Sequence, residues 1–107
     1  MKELCMVYIT ASNRGEAMNI AEKLVDEKLA ACVTIFDGVT SVYEWNTKLE
    51  KSVEAVLVVK TRESLYGELE KVIGEMHSDS CPCIVAYPMI HAEENYANWI
   101  LAQTERS

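Results

Sequence analysis

The sequence predicts a single α+β domain spanning 1–107, with its elements in the order βαββαβ and a further helix at the end. Short runs rich in β-branched residues alternate with segments in which apolar residues recur every three or four positions. The chain has 107 residues, close to the commonest size of one domain. Half of the residues are hydrophobic, and only four are glycine and two proline. That balance is typical of a packed globule.

The first strand and the first helix follow each other directly. Residues 4–10 (LCMVYIT) form a short apolar run that predicts a buried strand. Ser12 and Asn13 offer capping oxygens, and Glu16 follows Asn13 by three residues, as in a capping box. The helix is predicted to end near Leu29. Its core-facing residues are Ala17, Ile20, Ala21, Leu24 and Val25.

The middle of the chain predicts one long, bent β-hairpin over residues 31–60. Its first strand is interrupted at Asp37-Gly38, which indicates a bulge or bend, and continues in extended form to Trp45. The returning strand contains SVEAVLVVK at 52–60, a strongly β-forming run. We expect the tip of this hairpin to project beyond the body of the domain.

A second helix, a fourth strand and a third helix complete the pattern. Thr61 is the predicted cap of the second helix, and residues 83–90 (CIVAYPMI) are the predicted strand. Pro88 cannot donate a ladder hydrogen bond, so this strand is expected at an edge of the sheet. Residues 93–106 form the closing helix. The stripe of the second helix consists of Leu65, Tyr66, Leu69, Val72, Ile73 and Met76.

This order is the split-βαβ, ferredoxin-like arrangement, in which the helices are expected to cover one face of the sheet. The strand at 52–60 is nevertheless apolar at both alternating positions. Val56 and Val58 lie opposite the side that carries Ala55, Leu57 and Val59. A second copy of the same chain is the simplest cover for the other face.

The charge of the chain restricts its partners. The formal net charge is −7, from 17 acidic and 10 basic residues, and the basic residues are scattered. Nucleic acid is not expected as a partner, because binding it depends on clustered cations. An acidic surface instead raises the local concentration of cations, metal ions included, although it equally serves solubility alone.

The beginning of the chain and its cysteines indicate a cytoplasmic protein. Met1-Lys2-Glu3 is not followed by a secretory pattern, and no apolar stretch approaches the roughly 20 residues that cross a bilayer. We therefore expect neither secretion nor a membrane span. The four cysteines could form two disulfides, but reduced thiols are favoured. They are Cys5, Cys32, Cys81 and Cys83.

Several segments together match a known family. They are KLAACV at 28–33, GVTSVYEW at 38–45, Lys60-Thr61, His77 followed by Pro82-Cys83-Ile84, Pro88, and Tyr96-x-x-Trp99-Ile100. Across essentially its whole length the chain resembles the CutA divalent-cation-tolerance family. The resemblance implies a ferredoxin-like fold, a tight homotrimer similar in architecture to the PII signalling proteins, and binding of copper or other divalent metals.

One region departs from the usual pattern of that family. Where the family commonly reads His-Pro-Tyr-x-x-Pro-Glu, this chain reads HSDSCPC at 77–83, with Asp79 in place of the tyrosine and Cys83 in place of the glutamate. A metal site that used the glutamate cannot be transferred unchanged. A thiolate at that position favours softer metals such as Cu(I).

The predicted metal ligands are Cys32, His77, Cys81 and Cys83. Cys81 and Cys83 flank a proline, and in extended chain both thiols point to the same side, about 6.6 Å apart between Cα atoms, which permits a shared metal ion. The alternatives are two small buried residues at Cys81 and Cys83, an ordinary core residue at Cys32, and a helix cap at His77. Cys5 is expected in the core.

A second set of residues predicts a cleft between subunits. Lys60 ends a strongly apolar strand, in the position of the family's Lys-Thr pair, where it can meet a small anion or metabolite; a plain surface lysine is the alternative. The aromatic members equally suit core or interface packing. The predicted cleft residues are Tyr43, Trp45, Glu50, Lys60, Tyr96 and Trp99.

No enzyme signature is present in the sequence. It has no Gly-rich phosphate loop, His-Glu-x-x-His or nucleophile elbow, and only His77 and His91 could serve a Ser-His or Cys-His pair. We expect no catalysis and no organic cofactor. Two functions remain: a trimeric metal-binding protein that uses copper or a related ion, and a PII-like trimeric module that binds a small molecule or a partner protein.

Overall fold

The computed structural model describes residues 3–106 as a four-stranded antiparallel sheet with three α-helices. Strands lie in the order β2-β3-β1-β4, and the predicted succession βαββαβ plus a helix is confirmed. The targeting prediction at Met1-Lys2 and the predicted domain end at Ser107 lie outside the described residues. The elements are β1 (Leu4–Ala11), α1 (Arg14–Asp26), β2 (Cys32–Trp45), β3 (Lys48–Arg62), α2 (Tyr66–Met76), β4 (Ile84–Pro88) and α3 (Glu94–Gln103).

The long bent hairpin is confirmed as β2 and β3. These strands pair from Cys32 opposite Lys60 to Trp45 opposite Lys48. The register shifts between Phe36 and Val39, at the predicted bulge, where Gly38 has a φ of 67°. That left-handed conformation suits glycine because it has no Cβ. Since β1 pairs with β3 only as far as Ala55, the rest of the hairpin extends beyond the sheet.

The main core lies between the sheet and the helices α1 and α2. Side chains alternate between the two faces of a strand, so Val7 and Ile9 of β1 point to the same side as Leu57 and Val59 of β3. All four are fully buried and pack against the apolar stripes of the two helices. The helix residues of this core are Ala17, Ile20, Ala21, Leu24, Leu69 and Ile73.

Helix α3 lies on the opposite face, at one end of the sheet. Leu4 points away from the main core by the same alternation and packs with Ala31, Ala97 and Ile100. Arg62, its partner across the strands, donates from Nε to Thr104 Oγ1 at 2.9 Å and from Nη2 to the Leu101 carbonyl. The expectation that all helices cover one face was therefore wrong for α3. The rest of this second face, the open face, is not covered by a helix.

The predicted cap of α1 is confirmed in part, and the predicted cap of α2 has another role. Asn13 does cap α1 by accepting from the Glu16 N–H at 2.8 Å, but the Glu16 carboxylate accepts from the backbone of Ser12, not of Asn13. Thr61 belongs to β3, where its buried hydroxyl donates to the Leu29 carbonyl at 2.6 Å. A short 3₁₀ turn at Glu63–Leu65 separates it from α2. This hydrogen bond joins β3 to the segment that follows α1.

The outer elements are shorter than predicted. β4 is an edge strand, as expected, but ends at Pro88, whereas the prediction extended to residue 90. Helix α1 ends at Asp26, three residues before the predicted end, and Lys28 then has a φ of 59°. In α3, Glu93 is the cap and the helix ends at Gln103. Within residues 3–106, no helix is both long and apolar enough to cross a membrane.

Candidate functional site

A cavity of about 590 Å³ lies on the open face, between the hairpin and the segment that joins α2 to β4. Three strands and this segment, residues 77–83 (the α2–β4 loop), contribute to its wall. The size is that of a typical small-molecule site. The lining residues are Tyr8, Thr10, Ser41, Tyr43, Trp45, Glu50, Glu54, Asp79, Ser80, Cys81 and Cys83.

His77 fastens the α2–β4 loop to the sheet. Its fully buried ring places Nε2 2.6 Å from the carbonyl oxygen of Thr10, and Nδ1 accepts the backbone N–H of Asp79 at 3.0 Å. Because Nδ1 is the acceptor, Nε2 holds the proton and donates to Thr10. Both nitrogens of this predicted metal ligand are thus engaged. A metal ion at His77 would require one of these hydrogen bonds to break.

Glu16 fastens the same loop to the start of α1. Its carboxylate accepts the backbone N–H groups of Ser12 and Ser78, each at 2.8 Å, and the Ser12 hydroxyl at 3.1 Å. Burial raises the pKa of this carboxyl, but the hydrogen bonds from Ser12 and Ser78 outweigh it and lower the pKa to about 2. Glu16 is therefore ionised at neutral pH and holds two segments that are distant in sequence.

Cys81 and Cys83 both line the cavity and are exposed, together with Asp79. The alternative of two buried residues is therefore wrong for these cysteines. All four cysteines of the chain are free thiols. Cys5 is 2% exposed, so its predicted place in the core is confirmed. Burial raises the pKa of its thiol, and the negative charge of Glu63 raises it further.

The structure does not bring the four predicted metal ligands together within one chain. Cys32 lies opposite Lys60 at the edge of the sheet, whereas Cys83 lies beside Thr10 at the other edge. Four residues along the strands and three strand spacings separate them, roughly 19 Å. Within residues 3–106, no three His, Cys, Asp or Glu side chains are grouped to hold a metal ion. The local set is reduced to Cys81 and Cys83, with Asp79 nearby.

The predicted cleft residues also divide into two groups. Tyr43, Trp45 and Glu50 line the cavity. The other three lie near α3: the Lys60 ammonium is 5.6 Å from the centre of the Tyr96 ring, and the rings of Tyr96 and Trp99 are stacked 5.6 Å apart. This geometry allows a cation–π contact that holds Lys60 at the α3 end of the open face.

Sequence reasoning missed five residues of the cavity: Tyr8, Thr10, Ser41, Glu54 and Ser80. Alternation within β1 and β3 could have identified Tyr8, Thr10 and Glu54, since each has the parity of the open face. Nothing in the sequence, however, indicates that the α2–β4 loop approaches that face. The contact depends on the hydrogen bonds of His77 and Glu16 described above.

The open face exposes an unusual amount of apolar surface beside the cavity. Its side chains are between about one third and one half exposed in a part of the sheet where a buried face would be expected. They include Met6, Tyr8, Phe36, Val85 and Tyr87. Contiguous apolar surface of this kind typically marks an interaction site.

Comparison with protein families gives one match that spans nearly the whole chain. The sequence model described as "CutA1 divalent ion tolerance protein" matches residues 5–103. The matched range contains all seven elements except the first residue of β1. It also contains the complete cavity wall.

Individual proteins agree with that match. The chain is 39% identical over 94 residues to "Divalent-cation tolerance protein CutA" of Archaeoglobus fulgidus, covering 88% of this chain and 91% of that one. It is 37% identical over 99 residues to "Protein CutA, chloroplastic" of Arabidopsis thaliana, covering 92% of this chain but 54% of the plant protein. The crystal structure of CutA1 from Oryza sativa superposes with a TM-score of 0.95 at 34% identity, over 98% and 96% of the two chains.

Proposed function

This chain belongs to the CutA1 divalent ion tolerance protein family, and from that premise we propose that it binds transition-metal ions, copper among them, and contributes to metal tolerance or sensing. One observation supports the choice of site. Cys81 and Cys83, on either side of Pro82, are both exposed and both line one cavity. The proposed site is therefore this pair of thiols rather than the four residues expected from the sequence.

The chemistry of the donors favours a soft metal. Thiolates select Cu(I) and related ions over the hard ions Mg²⁺ and Ca²⁺, which prefer oxygen ligands. Asp79 adds a carboxylate to the same wall, and the hydrogen bonds of His77 and Ser78 hold the start of the α2–β4 loop, which limits how far the thiols can move. The site would supply two sulfur ligands, which suits an ion that accepts low coordination.

A Cu(I) titration under reducing conditions against a competing chelator tests this proposal. Native protein is expected to bind one ion per chain, and Cys81→Ser/Cys83→Ser is expected to lose that binding. Cys32→Ser is the matched control, since its half-buried thiol lies at the other edge of the sheet. Unchanged affinity in the double variant, or loss of binding in Cys32→Ser alone, would contradict the proposed pair.

We also propose that the chain forms a homotrimer with PII-like architecture. The support is the open face, whose apolar residues include Phe36 and Tyr87, 55% and 53% exposed. Burial of such surface is the main driving force for association. The extended hairpin offers further unpaired strand edges, which are free to pair with another chain.

A PII-like module that binds a small molecule is the second candidate, and the 590 Å³ cavity favours it.

We infer binding rather than catalysis for either function. His77 has both ring nitrogens in hydrogen bonds within the fold, so it offers no free base, and His91 is exposed outside the cavity. A cytoplasmic location remains our prediction.

A further inference from the structure

The bulge of β2 contains the one place in the sequence where glycine follows an aspartate or an asparagine, Asp37-Gly38. The pairing of β2 with β3 stops at Phe36 and resumes at Val39, which leaves both bulge residues outside the ladder. Both are exposed. The backbone at this point is therefore held less tightly than the paired residues on either side.

The hydrogen bonding of the bulge brings a backbone nitrogen to the side chain that precedes it. The Gly38 N–H donates to Asp37 Oδ1 at 2.9 Å, and the carboxyl carbon Cγ is bonded directly to that oxygen. Intramolecular reactions are fast when the two reacting atoms are already held close together. Nitrogen and Cγ are thus placed as neighbours, as closure of a cyclic imide requires.

Gly38 also leaves that nitrogen unshielded. Its φ is 67°, and apart from its two chain neighbours no atom of the described residues lies within 4 Å of the point where a Cβ would stand. Glycine has no side chain to obstruct attack on the preceding residue, and it permits backbone rotations that other residues resist. The approach of the nitrogen to Cγ is therefore sterically open.

The bulge lies outside the open face. Val56 and Glu54, the cross-strand neighbours of the residues on either side of the bulge, have the parity of the open face. The bulge itself stands opposite Ala55, which belongs to the main core on the side of α1 and α2. Contacts between copies through the open face would therefore leave Asp37 in contact with water.

We propose that Asp37 is a site of spontaneous isoaspartate formation, a covalent modification that requires no enzyme. The Gly38 nitrogen attacks Cγ of the protonated carboxyl group and forms an N–Cγ bond, while the amide proton and the carboxyl hydroxyl leave as water. The product is a cyclic imide, to which water then adds at either carbonyl. Opening at Cγ restores aspartate, whereas opening at the main-chain carbonyl of Asp37 gives isoaspartate, in which the peptide bond to Gly38 runs through Cγ.

The position of Asp37 gives this modification a structural consequence. Ala55, opposite the bulge, is also the last residue of β3 that pairs with β1, so the bulge lies where the hairpin leaves the sheet. Isoaspartate adds a carbon atom to the main chain at this junction. We expect it to loosen the pairing of the distal hairpin, residues 39–54, which contributes Tyr43, Trp45 and Glu50 to the cavity wall.

Prolonged incubation of the native, assembled protein in neutral buffer tests the proposal, with peptide mass spectrometry and electron-transfer fragmentation to distinguish isoaspartate from aspartate. We expect isoaspartate to accumulate at Asp37. Asp26 is the internal control and is expected to stay unmodified, because the N–H of the next residue, Glu27, donates to the Lys23 carbonyl at 3.0 Å. Unmodified Asp37, or equal modification of Asp26 and Asp37, would overturn the proposal.

Two substitutions at the same position separate the ring closure from general damage. Asp37→Glu keeps the charge but would require a larger ring, so loss of the modification is expected. Asp37→Asn is expected to react faster than the native protein, because its amide has no ionised form that must first gain a proton, and ammonia leaves in place of water. Its conversion appears as the mass difference between an amide and a carboxyl group. An unreactive Asp37→Asn would show that the bulge cannot reach the geometry of attack and would overturn the proposal.

Hydrogen exchange tests the consequence for the hairpin. Backbone amides of residues 39–54 are expected to exchange faster in protein enriched in isoaspartate than in freshly prepared protein. Amides of α1, on the far side of the core, are the control and are expected to exchange at the same rate in both samples. Equal exchange of the distal hairpin in the two samples would overturn its predicted loosening.

Discussion

The ring of His77 donates from Nε2 to the carbonyl oxygen of Thr10 at 2.6 Å, joining residues 67 positions apart in the chain. The same ring accepts the Asp79 N–H through Nδ1. One buried side chain therefore holds the start of the α2–β4 loop against the sheet. Asp79, Cys81 and Cys83 of that loop line the cavity. The contact thus determines whether the proposed ligands meet the hairpin at all.

His77→Ala is expected to destabilise the fold by about 1–3 kcal/mol, because it leaves the Thr10 carbonyl and the Asp79 N–H without their partner. Urea denaturation at neutral pH measures this loss. His91→Ala, at an exposed position, is the control and is expected to change the free energy of unfolding by less than about 0.5 kcal/mol. Equal effects of the two substitutions would show that the two hydrogen bonds of the His77 ring contribute nothing specific.

Glu16→Gln is expected to make stability less dependent on acid pH. The pKa of Glu16 in the folded chain is about 2, below the ordinary 4.5, so its carboxylate stabilises the fold above about pH 4.5. That contribution is lost as the pH falls through about 2. The variant should therefore be less stable by about 1.5–3 kcal/mol at pH 6, the range for hydrogen bonds to a charged group.

The two proteins should converge in stability between pH 4.5 and pH 2 in denaturant titrations. Glu22→Gln, an exposed position on the same helix, is the matched control and should show a curve parallel to that of the native protein. A constant difference between native protein and Glu16→Gln over this whole pH range would contradict the assignment.

Thr61→Val is expected to destabilise the fold by about 1–3 kcal/mol, although it preserves the shape of the side chain. The buried hydroxyl of Thr61 donates to the Leu29 carbonyl at 2.6 Å, and valine would leave that acceptor unpaired. Thermal or urea unfolding measures the effect. Thr40→Val, at an exposed position in β2, should be nearly neutral, and a similar loss there would point to strand propensity instead.

The trimer proposal predicts that the native protein has three times the mass of one chain in light scattering at micromolar concentration. Phe36→Asp, which places a charge on the open face, is expected to shift the protein toward monomers without unfolding it, because Phe36 is 55% exposed within one chain. Val25→Asp, 45% exposed on the helical face, is the control and should leave the mass unchanged. A native monomer would refute the proposal.

Local patterns were sufficient to predict the order of the elements and several of their details. The bulge at Asp37-Gly38 and the edge position of the strand that contains Pro88 follow from backbone properties of glycine and proline, which act at their own positions. Element ends were less accurate. Thr61 carries the side chain of a typical helix cap, yet its hydroxyl bonds to Leu29, a partner supplied by tertiary structure.

The candidate site was predicted only in pieces. Cys81 and Cys83 were expected close together, and they do line one cavity, because they are only two residues apart and Pro82 between them keeps the chain from forming a helix. Within one chain, Cys32 lies at the other edge of the sheet from these thiols, and both ring nitrogens of His77 are engaged in hydrogen bonds. The position of Cys32 depends on the order of the strands, and that of the His77 ring depends on the packing of the loop. Residue types and their spacing predict neither of these.

The sequence by itself determined the succession of strands and helices, the family and the long hairpin, since these arise from local periodicity and from motifs in a fixed order. Only the tertiary structure decided that α3 packs on the face of the sheet opposite α1 and α2, that Cys32 lies far from Cys83, and that Glu50 and Asp79 share one cavity. The physical reason is that sheet order and a few buried hydrogen bonds join segments that are distant along the chain. Such long-range contacts are selected by the packing of the whole domain.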